Sequence, residues 1–133
     1  MALLGAPTAT REEAIEQSVR LWPTLNGSRY PMDEARAREA AARDYDRCHY
    51  PAGVARHLSA VLASPGRARA LKKVRIPTLV IHGAEDPLVP LEWGRKTAKS
   101  VPGAKFLTIP GMGHGMPRQV QPQIIEAIAE AAV

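Results

Sequence analysis

The stretch IPTLVIHGAEDPLVP, residues 76–90, decides how this chain folds. Residues 74–82 form an apolar, β-branched run of the kind found in strands buried on both faces, and Gly83 ends it. Downstream, residues 91–100 read as a short helix stopped by Val101-Pro102-Gly103, and residues 105–109, KFLTI, read as a second strand. The glycine-rich loop GMGHGMP, residues 111–117, follows that strand. A last helix begins near Pro122, which a first helical turn tolerates, with Ile124, Ile125 and Ile128 expected to face inward. Strand, helix, strand, helix predicts a parallel pair joined by a right-handed crossover.

Upstream of Lys73 the signals are helical. Thr10 with Glu13 is a candidate capping box. Ile15, Val19 and Trp22 follow at helical spacing, and Pro23 is expected to stop the run. Asn26-Gly27-Ser28 reads as a turn. A second helix is expected from about Asp33 to Cys48, broken by residues 51–53. A third carries Val54, Leu58, Val61 and Leu62 on one stripe and ends at Ser64-Pro65-Gly66.

The bulk properties are those of an ordinary globular domain: 133 residues, 45% hydrophobic and 23% charged. Aromatic residues make up only 5%, so the core must come from Ala, Val, Leu and Ile. The single cysteine, Cys48, excludes an internal disulfide and fits a reducing compartment, hence a cytoplasmic location. The longest apolar runs fall far short of the roughly 20 residues of a membrane-crossing helix, so no membrane association is expected. The start of the chain lacks the positive region of a signal peptide. The net charge is +5, but apart from Arg67, Arg69, Lys72, Lys73 and Arg75 the cations are scattered. That pattern suits a solvated surface and argues against nucleic acid as a partner.

Asp86 and His114 each lie a few residues beyond the carboxyl end of an expected strand, where open α/β sheets place their functional groups. A neutral histidine can take a proton from a hydroxyl when its other ring nitrogen is held and its developing charge is compensated. A carboxylate bonded to that nitrogen does both. The glycines around His114 permit a tight turn, and Pro87 stiffens the one that presents Asp86. The alternative is that Asp86 caps the helix near Leu91 and His114 is an ordinary loop residue. Other groups carry less. Glu85 is expected to face solvent, His82 to be a hydrogen-bonded core residue, and Trp22 and Trp93 to be packing residues. Asp44, Asp46, Cys48 and His49 superficially resemble a metal cluster, but such closely spaced helical positions point in different directions, so no metal and no cofactor are implied.

The segments HLSAVLASPGR, ALKKVRIPTLVIHGAEDPLVP and VPGAKFLTIPGMGHGMP resemble the C-terminal part of α/β-hydrolase-fold enzymes, most closely esterases similar to aclacinomycin methylesterase. The resemblance is specific over residues 71–117 and looser before. It implies that Asp86 matches the family's triad aspartate and His114 its triad histidine, both catalytic. It also implies that residues 1–72 form a helical cap or lid and residues 73–133 the C-terminal lobe of the core. One departure is Gly115, where relatives often have an acidic residue. A larger one concerns the nucleophile. In this fold the order is Ser, then Asp or Glu, then His, with the serine in a G-x-S-x-G turn. The serines here are Ser18, Ser28, Ser59, Ser64 and Ser100, and none has glycine two positions to each side; Cys48 fails the same test. Met1 is therefore expected to lie inside a longer gene or at a cut near the cap.

The expectation is thus a partial α/β-hydrolase fold, a helical cap followed by the last parallel strands and helices of the sheet. Its function would be carboxylic-ester hydrolysis of a small-molecule substrate, in a chain that lacks the nucleophile half and is inactive alone. The alternative is a non-catalytic module that binds only a partner, either the missing N-terminal lobe or another copy of itself.

Overall fold

A computed structural model describes Thr8 and residues 10–132. The element order is α1 (Arg11–Asn26), α2 (Glu34–Cys48), α3 (Pro51–Ala63), α4 (Ala68–Leu71), β1 (Leu79–Gly83), α5 (Leu91–Ser100), β2 (Lys105–Ile109), a 3-10 turn (Arg118–Val120) and α6 (Gln121–Ala131). These form two compact units. One comprises the described residues up to Trp22 together with Asp33–Pro65, the other Pro23–Met32 together with Gly66–Val133 as far as it is described.

In the first unit α1 starts as its sequence dictates. Thr10 Oγ1 accepts the Glu13 N–H at 3.2 Å, and the Glu13 carboxylate accepts the Thr10 N–H at 3.3 Å, a reciprocal capping box. Asp33 caps α2 by accepting the Arg36 N–H. Ile15, Val19, Ala37 and Ala41 are buried, and ion pairs Arg11–Asp46 and Arg38–Glu16 flank them. Pro51 starts α3 instead of merely breaking α2, because a first-turn proline loses no intrahelical hydrogen bond. The apolar stripe of α3 is exposed: Val54, Val61 and Leu62 all face solvent among the described residues.

Pro23 does not stop α1, which continues to Asn26. A proline forgoes only one helical hydrogen bond, and the carbonyls of the turn beyond it find partners elsewhere, as described below.

In the second unit β1 and β2 pair in parallel, with Leu79 opposite Lys105 and Gly83 opposite Ile109. The first strand begins later than expected. Pro77 has no N–H for a ladder, and residues 71–74 are used in the turn that closes α4, where the Val74 N–H donates to Leu71 O. Alternation along the strands assigns their faces. Ile81, Leu107 and Ile109 pack with Met112, Val120 and Ile124, so one face is covered by α6 and the turn before it. His82 and Phe106 point the other way, towards Gly94 and Arg95 of α5. The result is helix, sheet, helix, the layering that protects a parallel pair. Coverage is incomplete: β1 is only half-buried before Gly83, and Ile125 and Ile128 are exposed where Ile124 is buried. A sheet two strands wide shields only the innermost stripe of α6.

Candidate active site

Where β1 ends, the chain is pinned to the loop after β2. Ala84 N–H donates to Ile109 O at 3.1 Å and Glu85 N–H to Met112 O at 2.9 Å. Asp86 follows in a tight turn. Its Oδ1 accepts the N–H groups of Leu88 at 2.8 Å and Val89 at 2.9 Å, a side-chain-closed turn that Pro87 suits by its fixed φ. Its Oδ2 lies 2.9 Å from His114 Nδ1. The structure thus brings together the two residues that the sequence singled out.

The electrostatics follow from the geometry. The Asp86 side chain is 7% exposed and the His114 side chain 47%. Burial pushes the Asp86 carboxyl up, but the Val89 N–H, the His114 ring and the Leu88 N–H outweigh it and hold the group below its ordinary value. Asp86 is therefore an ionised acceptor at neutral pH, and Nδ1 of His114 must carry the proton. In neutral His114 the lone pair then sits on Nε2, in a side chain that is half-exposed as a whole. That nitrogen makes no hydrogen bond among the described residues. The arrangement can accept a proton at Nε2 and compensate the resulting charge through Nδ1.

The His114 loop is held from both sides by the end of α1. Gly113 N–H donates to Asn26 O and Gly115 N–H to Leu25 O, each at 2.9 Å. Two carbonyls left over at a helix C-terminus thus fix the backbone around the histidine. Gly27 makes this approach possible. Its φ is +83°, and a Cβ there would lie 2.4 Å from Gly111 O. A Cβ on Gly113 would lie 2.2 Å from Leu25 O. The sequence offered only the turn signal Asn26-Gly27-Ser28 for this segment, with nothing to indicate where it docks.

Glu85 is exposed, and its carboxylate is engaged by Ser28. His82 is half-buried with Nδ1 2.8 Å from Gly83 O, the core hydrogen bond expected of it. Trp93 is exposed and not a packing residue, because α5 turns its small Gly94 and Ala98 to the sheet. Asp46 pairs with Arg11, and His49 stacks on Tyr45; no metal-binding group of three occurs among the described residues. No described helix is long and apolar enough to cross a membrane.

Known proteins resemble this chain along nearly its whole length. A rhodomycin D methylesterase of Streptomyces peucetius is 33% identical over 130 residues, which are 96% of this chain and 43% of that enzyme. A bifunctional esterase/perhydrolase of Acinetobacter calcoaceticus is 47% identical over a shorter stretch of 49 residues, 36% of this chain and 18% of that enzyme. Among solved structures, an esterase from Rhodococcus sp. ECU1013 superposes with a TM-score of 0.68 at 23% identity, covering 98% of this chain and 46% of that one. The chain therefore spans less than half the length of these relatives, and its two strands and their helices are part of an α/β-hydrolase fold. The family model described as TAP-like protein matches residues 55–130, more than half of the chain, so the chain belongs to this family of α/β hydrolases.

Proposed function

We propose that Asp86 and His114 are the acid and base of a serine-hydrolase triad acting on a carboxylic ester, with the nucleophilic serine supplied by a lobe outside these 133 residues. The observation that carries the reading is the 2.9 Å bond from His114 Nδ1 to the buried Asp86 carboxylate, with Nε2 left open. The methylesterase and esterase relatives support the ester as substrate class. The serines of the chain support an external nucleophile. The hydroxyls of Ser59, Ser64 and Ser100 donate to carbonyls of their own helices, Ser28 donates to Glu85, and Ser18 lies within α1.

In the complete site Nε2 takes the proton of the serine as its oxygen attacks the ester carbonyl. The imidazolium, held by Asp86, then protonates the departing alcohol. Water repeats the cycle in reverse and releases the acid.

The purified chain alone is expected to take no label from a fluorophosphonate and to hydrolyse p-nitrophenyl acetate no faster than free imidazole, since triad members act as a unit. Co-expression with the N-terminal half of the Streptomyces methylesterase is expected to restore both. Stoichiometric labelling of a serine in the isolated chain would overturn the reading. The exposed apolar residues of α3 and α6 favour a second reading, in which the chain only binds another lobe. A complex that assembles yet stays inactive would select it.

A further inference from the structure

Glu85, the neighbour of Asp86, spends both carboxylate oxygens on one residue. Oε2 accepts the Ser28 N–H at 2.7 Å, and Oε1 accepts the Ser28 hydroxyl at 2.9 Å. The Ser28 N–H first, and then its hydroxyl, hold the Glu85 carboxyl below its ordinary value against a smaller effect of burial. Two residues before Ser28, the Asn26 carbonyl accepts the N–H of Gly113, beside His114. Leu25 O accepts the N–H of Gly115 on the histidine's other side. The links close a ring: Asp86 to Glu85 along the chain, Glu85 to Ser28, Ser28 back to Asn26, Asn26 to Gly113, Gly113 to His114, and His114 to Asp86. The bond between acid and histidine is one link of this ring. Residues 25–28 therefore tie the acid-bearing turn and the histidine-bearing loop to a single short segment.

We infer that Glu85 and Ser28 are positioning residues, whose paired hydrogen bonds close this ring and hold His114 Nδ1 on Asp86. The inference rests on the reading of Asp86 and His114 as the acid–base pair. Neither residue takes part in proton transfer. Each acts through the backbone, by limiting how far the two loops can part. Misplacement of catalytic groups by about 1 Å is enough to cost orders of magnitude in rate, so such a tie matters beyond its contribution to stability.

The test reads the tautomer of His114 in the full chain, by the ring nitrogen shifts of nitrogen-15-labelled histidine. Spectra of sedimented protein serve if the chain associates. Wild type is expected to show neutral His114 as the Nδ1–H tautomer only. Glu85→Ala is expected to bring the Nε2–H tautomer to about a tenth of the population or more. Ser28→Ala, which keeps the backbone N–H, should fall between, and Glu85→Gln, which keeps an acceptor oxygen, should return most of the wild-type signal. His82 is the internal reference, since it lies in the same unit with its own bond to Gly83 O. An unchanged His114 tautomer in Glu85→Ala, with Asp86→Asn changing it, would overturn the inference. So would a change in His82 accompanying that in His114 in both alanine variants, because the pair would then only hold the unit together. Absence of the Nδ1–H form in wild type would instead sink the acid–base reading itself.

Discussion

Asp86 uses its two oxygens for different purposes, and this makes its replacement by asparagine informative. Oδ1 needs to accept from the Leu88 and Val89 N–H groups while Oδ2 accepts from His114. An amide can supply an acceptor to only one side. If its oxygen stays in the turn, its NH2 faces the ring and forces the wrong tautomer. In a reconstituted enzyme, Asp86→Asn and His114→Ala are therefore each expected to lower kcat by about four powers of ten. Stopped-flow hydrolysis of a chromogenic ester would measure it, and a fall of less than tenfold for Asp86→Asn would remove Asp86 from the mechanism. The same residue sets a pH dependence. Its carboxyl titrates lower in the folded chain than in the unfolded one. Its hydrogen bonds thus stabilise the fold at every pH above the ordinary aspartate value of about 3.9, and that contribution is lost as pH falls through the lower native value. Denaturant midpoints at about pH 6 and about pH 3 should differ less in Asp86→Asn than in wild type. Glu85 is lowered as well and adds to the same acid-side loss.

At the level of elements, the site depends on one segment with little regular structure of its own. The end of α1 and the two residues after it meet the glycine loop at backbone distance, and Gly27 stands at the crossing with a positive φ. Gly27→Ala combines a disfavoured backbone with a Cβ that meets the Gly111 carbonyl. It should cost about 1–3 kcal/mol from strain, and at least as much again from the forced separation. Thermal unfolding compared with Thr10→Ala, expected to cost about 1 kcal/mol at the cap of α1, would measure it. A Gly27→Ala variant as stable as wild type would mean that the segment does not hold the loop. This dependence also explains what the sequence could convey. The pairing of Asp86 with His114 is legible because each residue sits in a short local pattern, a strand end followed by a turn. β2 and α5 match their expected bounds because Gly and Pro punctuate them. The docking of residues 25–28 is illegible because the bonds from Gly113 N–H to Asn26 O and from Gly115 N–H to Leu25 O join distant parts of the chain through backbone groups that every residue carries. β1 is shorter than its apolar run because Pro77 interrupts hydrogen bonding without interrupting hydrophobicity. The apolar stripes of α3 and α6 are legible as amphipathic, but periodicity cannot say which stripe is covered, and Val54, Val61, Leu62, Ile125 and Ile128 are exposed in the structure.

For the molecule as a whole, the decisive quantity is apolar surface left without a partner. In the first unit Val54, Val61 and Leu62 are 54–78% exposed along one helix, α3. In the second unit Ile76, Ile125 and Ile128 are 53–71% exposed. The sheet has only two strands among the described residues, so each keeps one edge of unpaired N–H and carbonyl groups. Parallel strands are stable when both faces and both neighbours are present, and an open apolar edge is a template for another chain. The hydrophobic contribution of such residues is about 1.5–3 kcal/mol each when fully buried, which is large against the 5–15 kcal/mol net stability of a domain. Association that buries a few of them contributes an amount comparable with the net stability of a whole domain. The isolated chain is therefore expected to form oligomers or aggregates, and to become a discrete heterodimer when a lobe carrying the preceding strands is co-expressed. Size-exclusion chromatography with light scattering measures this directly. A single monomer peak, together with a cooperative thermal transition, would show that the two strands and their helices are self-sufficient. It would also remove the main physical reason for expecting a second lobe.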